Sequence, residues 1–469
     1  MSSPPAASHG YTEIKIYARA THGRFERLRW LMLWLTQAVF YALPWFSWNQ
    51  RPAVLFDLNA RRFYLFDLVL YPQDLIYLTL LLIISALGLF FVTTLAGRVW
   101  CGFACPQTVY TKLFMWVEQK TEGDRTARMR LDAAPWSIQK MTRKAAKHGV
   151  WMAISLWTGF TFVAYFTPLT SLAQGAMQSG WSAWETFWVL FYALALYGNA
   201  GYLREQVCKH MCPYARFQSA MFDKDTLIIG YDHQRGDPRG SRPRTANAAS
   251  LGLGDCIDCT MCVQVCPTGI DIRDGLQSNC IGCAACIDAC DNVMDKMGTP
   301  RGLVRYATQN AMEQGWTAQQ QRKRWLRPRV LMYGALLGVI TVGFVAGLSM
   351  RNPLQFDVIR DRGVLARTVG RGDVENVYRL QIMHALEHAQ RYTIRVSGPE
   401  GLRLSDGSPR TVVLESAAER LVPLAVHLPA EQAAVLKGQN IPIAFHVQPE
   451  GMPSGVTETT EPSRFIVPK

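Results

Sequence analysis

Two runs of the chain, LIYLTLLLIISALGLFFVTTLA (75–96) and VLMYGALLGVITVGFVAGLSM (330–350), contain no charged residue. A helix of about 20 apolar residues spans the hydrocarbon core of a bilayer, where every backbone N–H and C=O must be satisfied within the protein. Three further stretches, at about 30–49, 150–170 and 184–203, have the length and apolar content for the same reading, although Pro44 and Glu185 interrupt the first and last. One such run alone reads equally well as the buried helix of a soluble domain. Five in one chain of 469 residues, with 49% hydrophobic content and 14 tryptophans, point to a membrane bundle.

Charge then orients the spans. The formal net charge is +13, yet no helix-turn-helix, zinc-finger or RNA-binding signature accompanies it, so the excess is read as cytoplasmic loops rather than as a nucleic-acid surface. Lys15, Arg19, Arg24, Arg27 and Arg29 precede the first span, and no small-residue cleavage site follows it, which predicts an uncleaved anchor. Ten Lys and Arg lie between Arg98 and Lys147, whereas 171–183 has no charge. The expected order is a cytoplasmic tail (1–29), four spans within 30–203 around a cytoplasmic loop (97–149), a cytoplasmic segment (204–329), a fifth span (330–350) and an outer domain (351–469). The loop at 50–74, with Arg51, Arg61 and Arg62 among Asp57, Asp67 and Asp74, is expected along the outer surface.

The last 119 residues contain no cysteine and carry short alternating runs between turn residues: VYRLQI (377–382), YTIRVSG (392–398), RTVVLES (410–416), RLVPLAVHL (420–428) and IPIAFHV (441–447). That pattern predicts an all-β, immunoglobulin-like sandwich. A cysteine-free domain also suits an oxidising compartment, because nothing in it can mispair.

All twelve cysteines fall within 101–290, and eight of them form one ladder. Cys256, Cys259, Cys262 and Cys266 precede Pro267, and Cys280, Cys283, Cys286 and Cys290 repeat the spacing. This is the pattern of a two-cluster bacterial ferredoxin, in which three close thiolates hold one [4Fe–4S] cubane and the fourth reaches to the other. It predicts an α+β insert at 250–296 with two cubanes, one on Cys256, Cys259, Cys262 and Cys290 and one on Cys280, Cys283, Cys286 and Cys266. A pair of structural zinc sites is the competing reading, but zinc needs neither the third cysteine nor the tandem copy. Asp291 stands where a second proline is expected, which is predicted to loosen the turn without removing a ligand.

The other four cysteines form an internal repeat. WCGFACP (100–106) follows the second span and VCKHMCP (207–213) follows the fourth, so each pair emerges at the same membrane face. Cys101, Cys105, Cys208 and Cys212 can bind a soft metal such as Cu(I), exchange with a disulfide, hold a further cluster, or simply pack. The repetition favours redox or metal chemistry over packing. His210 and Met211 are copper-ligand types, but Gly102, Phe103 and Ala104 replace them in the first copy, so the weight falls on the thiols. His384 and His388 have i, i+4 spacing but follow a strand-like run and read as ordinary polar residues. No Cys-x2-Cys-His haem site and no phosphate-binding glycine loop occurs.

Taken together, the five spans, the two Cys-x3-Cys-Pro copies, the dicluster insert, RGDPRG (235–240) and RDRGVL (360–365) resemble the FixG/CcoG family of cytochrome c oxidase accessory proteins over nearly the whole chain. The resemblance implies a multi-pass protein of the bacterial inner membrane that reduces Cu(II) to Cu(I) for assembly of a cbb(3)-type oxidase. Cys101, Cys105, Cys208 and Cys212 would then be the copper-handling thiols, with the ferredoxin cysteines feeding electrons to them. Implied partners are the bilayer, oxidase subunits or copper-delivery proteins and a cytoplasmic electron donor, and an oligomer is compatible. Two other readings share the same features: a quinol- or ferredoxin-linked polyferredoxin subunit of another respiratory reductase, and a redox-sensing assembly scaffold without catalysis.

Overall fold

The computed structural model describes residues 15–49, 51–178, 180–246, 248–360, 366–370, 372–451 and 458–468. All of RDRGVL beyond Arg360 therefore lies outside the described residues. The chain divides into two compact units, one of Met1–Pro44, Leu80–Tyr165 and Leu169–Thr341, the other of Trp45–Thr79, Phe166–Pro168 and Val342–Lys469.

Among the described residues two helices are long and apolar enough to cross a membrane, Pro72–Ala96 and Pro328–Ser349. The other three expected spans are also helical, over Arg24–Ala42, Ile138–Val163 and Ala183–Leu196, the last continued by a π-helical turn Tyr197–Leu203. Each starts with polar residues or is short. The first begins at Arg24, six residues before its expected start, and Pro44 ends it in a 3-10 turn. Glu185 does not interrupt the fourth helix but starts it. Its carboxylate accepts the Ser182 N–H at 2.8 Å while its own N–H donates to Ser182 Oγ at 3.2 Å, a reciprocal cap.

Within the first unit, glycines let backbones meet. A Cβ on Gly159 would stand 2.4 Å from the Val189 carbonyl oxygen, so Ile138–Val163 and Ala183–Leu196 pack at backbone contact. Trp151 is fully buried, stacks on Phe114 at 5.1 Å and donates its indole N–H to the Phe114 carbonyl at 3.1 Å. Cations counted for topology are partly internal here. Glu118 pairs with Arg128 at 2.9 Å and Arg204 at 2.7 Å, and Glu122 pairs with Lys144 and Lys147 at 3.0 Å each. These pairs are buried, so losing one partner would strand the other charge away from water.

The ferredoxin segment is α+β. Ile228–Tyr231 and Val304–Ala307 pair antiparallel and frame it, and its longest helix is Ala285–Met297. That helix also holds the start of Arg24–Ala42. The first turn of a helix has N–H groups with no intrahelical acceptor, and here Asp288 supplies one: its carboxylate accepts from Phe25 N at 3.1 Å and Glu26 N at 2.6 Å. Gly23 permits the approach, since a Cβ there would lie 2.3 Å from the Asp288 carboxyl group.

In the second unit, Leu354–Arg360, Asp373–His384, Glu419–Leu428 and Arg403–Leu404 form one antiparallel sheet, with Arg367–Val369 added on Asp373–His384. Thr411–Leu414, Gln390–Ser397, Asn440–Pro449 and Thr459–Ile466 form the other. Alternate residues of these strands, including Tyr378, Tyr392, Val426, Phe445 and Phe465, fill one core between the sheets, as the Ig-like reading requires. Residues from the 50–74 loop form a three-stranded sheet, Val54–Asp57, Arg62–Leu65 and Leu68–Leu70, whose Leu55, Tyr64 and Val69 cluster with Met383 and Ala417 of the same unit. His384 is fully buried. Its ring nitrogens are taken by the Tyr392 hydroxyl at 2.6 Å and the His388 carbonyl at 2.7 Å, so it is a core hydrogen-bonding residue.

Replacing Asp288 by Ala should cost about 1–3 kcal/mol, read as a lower midpoint of thermal unfolding in detergent. Gly23→Ala should be comparably damaging alone but less so on the Asp288→Ala background, where the clash with the carboxyl group is removed and only the Cβ at 288, 2.7 Å away, is left. Additive losses would contradict this contact.

Candidate iron–sulfur and thiol centre

The x2 spacing of the ladder is realised by residues forced into left-handed backbone. Asp258 and Thr260 have φ of 55° and 56°, and at the matching positions of the second copy Gly282 and Ala284 have 68° and 60°. The residue before the second cysteine and the residue after it thus both turn left, which curls successive cysteines around one point. Outside glycine this costs about 1–3 kcal/mol per residue, and Thr260 is β-branched, so the loop is held against its own preference. Short helices then start directly at Met261 and Ala285.

This backbone brings the eight thiols together in two groups. One cavity is lined by Cys256, Cys259, Cys262 and Cys290, with Tyr231 and Arg273. A second is lined by Cys266, Cys280, Cys283 and Cys286, and Cys262 reaches it as well. Cys286 and Cys290, one helical turn apart on Ala285–Met297, face different cavities. Each cavity holds the four soft donors that a [4Fe–4S] cubane takes, so the residues fit the cofactor. Among the described residues no three His, Cys, Asp or Glu donors close onto a single ion, which a cubane, larger than one metal, does not require. Burial pushes the thiols of Cys262, Cys280 and Cys290 up to about 12 and raises Cys283 and Cys286. They are protonated at neutral pH until metal displaces the protons.

Asp291 corrects one expectation. No turn stands at this position, because the helix continues to Met297, and a proline there would remove a hydrogen bond and clash with the preceding turn. Instead the Asp291 carboxylate accepts the Gly302 N–H at 2.9 Å. The RGDPRG run also finds its place: Gly240 N–H donates to the Cys256 carbonyl at 3.2 Å, and Gly236 approaches Gly254 at backbone contact.

The two Cys-x3-Cys-Pro copies share one geometry. Cys105 and Cys212 are extended (φ −60°, ψ 128° and φ −77°, ψ 112°), and Pro106 and Pro213 start the helices Pro106–Glu122 and Pro213–Met221. Proline explains both features. It drives the preceding residue out of the helical region and suits the first helical position, where an N–H has no acceptor. Upstream the copies diverge. Cys101 lies in the short α-helix Val99–Phe103, whereas Cys208 lies in a π-helical turn, Val207–Met211. Gln107 ties them, donating from Nε2 to the carbonyls of Asn199 (2.9 Å) and Arg204 (3.1 Å).

The four thiols form one electrostatic neighbourhood, in which Cys101 feels Cys105 and Cys208, and Cys105 and Cys208 each feel Cys212. Burial pushes the Cys101 thiol to about 12 and the Cys208 thiol to about 11, and raises Cys105. They do not converge on one ion among the described residues. His210 and Met211 are exposed. Gln218, which the sequence did not single out, donates to Cys101 Sγ at 3.5 Å.

What joins the two centres is the middle of WCGFACP. A Cβ on Gly102 would stand 2.6 Å from the Gly282 carbonyl oxygen and 2.8 Å from Cys283 Cα, so the Cys101 helix lies backbone to backbone on the loop that carries Cys280 and Cys283. Arg98 reinforces it, donating to the Cys280 carbonyl at 3.3 Å and the Ala215 carbonyl at 2.6 Å. Cys101 and Cys208 both pack against the apolar cluster that contains Val265, Ile281 and Cys283. Replacing Cys290 by Ala should remove the same electron paramagnetic resonance signal as Cys256→Ala, and Cys266→Ala the same signal as Cys280→Ala, each lowering iron by about half. A Cys290→Ala variant that loses the signal of the Cys280 group would refute the crossed grouping.

Comparison with known proteins identifies the same domains. Residues 203–309 match the model of a 4Fe–4S dicluster domain, 344–468 match the Ig-like fold at the C-terminus of FixG, and 78–122 match a 4Fe–4S binding domain. The nitrogen fixation protein FixG of Rhizobium meliloti is 38% identical over 450 residues, 88% of this chain and 86% of that protein. Protein RdxA of Cereibacter sphaeroides is 38% identical over 83% of this chain and 84% of its own length. A crystal structure of a FixG-related protein from Vibrio parahaemolyticus overlaps 25% of this chain and 97% of that one, at 24% identity and a TM-score of 0.21. With its cysteine ladder, its Ig-like C-terminal domain and this similarity over most of its length, the chain is an iron–sulfur protein and belongs to the FixG/CcoG family.

Proposed function

We propose that this chain is an inner-membrane electron-transfer protein that reduces Cu(II) to Cu(I) on Cys101, Cys105, Cys208 and Cys212, for assembly of a cbb(3)-type cytochrome c oxidase. In this reading all five apolar helices span the membrane, with the cysteines on the cytoplasmic side and the Ig-like domain outside. The observation that carries it is the Gly102 contact, which seats the soft thiols on the loop of the second ferredoxin group. The [4Fe–4S] clusters held by the ladder supply one-electron chemistry when bound, which matches the single electron that separates Cu(II) from Cu(I). The thiols bind the product better than the substrate, because thiolate is a soft ligand that selects Cu(I). Binding releases protons from the buried Cys101 and Cys208 thiols. Gln107 and Gln218 orient the pairs, and the oxidase or a copper carrier takes the ion onward.

One observation favours a second reading. The 4Fe–4S binding-domain match at 78–122 contains only Cys101 and Cys105, so the four membrane-edge thiols would hold a further cluster instead of copper. Iron analysis separates the two, with about eight irons per chain expected for the copper reading and about twelve for the cluster reading.

Dithionite-reduced protein, freed of excess reductant, should reduce Cu(II), detected with a Cu(I)-specific chromogenic chelator. Changing Cys101, Cys105, Cys208 and Cys212 together to Ala should lower the rate at least tenfold while about eight irons remain. Undiminished reduction in that variant would sink the role of the pairs. Gly102→Ala should slow reduction with iron content intact, because it pushes the thiols off the cluster loop without touching a ligand.

A further inference from the structure

Beside the second ferredoxin group lies a cavity of about 740 Å³, within the size range of about 300–1,000 Å³ that small-molecule sites occupy. Its walls come from the start of Arg24–Ala42, from Pro106–Glu122 and from the ferredoxin loops, and Cys283, Ile281 and Cys208 line it as well. No role assigned so far uses it. Its electrostatics are lopsided, with six cationic side chains, Arg19, Arg27, Arg29, Lys112, Lys120 and Arg204, lining it against two carboxylates, Glu26 and Glu205.

The few partners available leave much of that charge uncompensated. Glu26 is shared between Arg29 and Lys112, Arg204 is spent on Glu118, and Arg19 has Asp124 at 3.9 Å. Arg27 and Lys120 have no carboxylate within ion-pair distance among the described residues. Arg29 is nine-tenths buried, yet its Nε has no hydrogen-bond partner. A buried guanidinium N–H without an acceptor is costly unless a ligand completes it. Apolar wall is supplied by Trp30 and Trp116, whose rings stand 6.1 Å apart at 79°, with Lys112 over the Trp30 ring at 4.8 Å. Cations beside indoles suit a ligand that combines a phosphate with a flat ring. A neutral quinone would leave the cations unanswered.

We propose that this cavity binds a phosphate-bearing planar redox carrier of the class of flavin mononucleotide, its phosphate on Arg27, Arg29 and Lys120 and its ring toward Cys283. The proposal rests on the electron-transfer reading and deepens it, because a ring at Cys283 stands where a donor to the second ferredoxin group has to be. Anionic lipid headgroups share the phosphate chemistry but carry no ring.

Flavin mononucleotide titrated into the full-length, detergent-solubilised protein should quench tryptophan emission saturably. Riboflavin, which lacks the phosphate, should bind at least tenfold more weakly. The Arg27→Gln/Lys120→Gln variant, which breaks no ion pair, should also lose at least tenfold in affinity, with its iron content and visible spectrum unchanged as the check on folding. Trp30→Phe and Trp116→Phe should each reduce the quench amplitude. Absence of saturable quenching, equal affinity in the Arg27→Gln/Lys120→Gln variant, or loss of the flavin signal in phosphatidylglycerol but not phosphatidylcholine nanodiscs would overturn the proposal, the last by assigning the charge to lipid. The Cys101→Ala/Cys105→Ala/Cys212→Ala variant, which leaves the cavity-lining Cys208 in place, should bind the flavin normally, so failure of copper reduction and failure of this site are read separately.

Discussion

The contact on which the two cysteine-bearing halves of the first unit depend is the approach of Gly102 to Gly282 and Cys283, closer than any side chain permits. A residue with a Cβ at 102 would hold the short Cys101 helix off the ferredoxin loop. With glycine, Cys101 and Cys208 share an apolar patch with a ligand-bearing loop. Arg98 fixes the approach by donating to the Cys280 carbonyl of the ferredoxin loop and to the Ala215 carbonyl of Pro213–Met221, and the Tyr306 hydroxyl secures the Gly282 carbonyl at 2.6 Å. Asp288 does the same for the first helix, replacing the acceptors its opening turn lacks.

The repeat of Cys-x3-Cys-Pro is a repeat of local physics more than of structure. Proline enforces the same extended cysteine and helix start in both copies, while the upstream cysteine sits in an α-helix in one and in a π-helical turn in the other. π-turns insert an extra residue and frequently mark functional sites. Here the turn follows Arg204, which reaches Glu118, and both Arg204 and Cys208 of the turn line the cationic cavity.

Much of this was legible because it rests on short-range rules. Alternating apolar residues at 377–382 and 441–447 predict strands, and they are strands, because a half-buried sheet imposes a period of two. The cysteine spacing predicts a dicluster domain, and the family comparison agrees. Other features carry no local signal. Nothing in Thr260 announces left-handed backbone, since a β-branched residue avoids it and the surrounding loop imposes it, whereas Asp258 is of a type that tolerates it. Asp291 was legible as a departure from pattern but not as a helical residue. The basic loop at 97–149 read as surface charge, yet Arg128 and Lys147 are buried, because their partners Glu118 and Glu122 lie on a neighbouring helix.

By itself, the sequence determined which residues are candidates for the chemistry and for membrane spans: thiol spacing follows from how a chain wraps a cubane, and apolar run length from the thickness of a bilayer. Only the tertiary structure decided which thiols are neighbours across copies, that Gly102 is the hinge of their contact, and that six cations surround one cavity beside Cys283. The physical reason is range. Spacing and periodicity act over a few residues and are written in order along the chain, whereas close backbone approach and net charge in a cavity are sums over segments far apart in sequence.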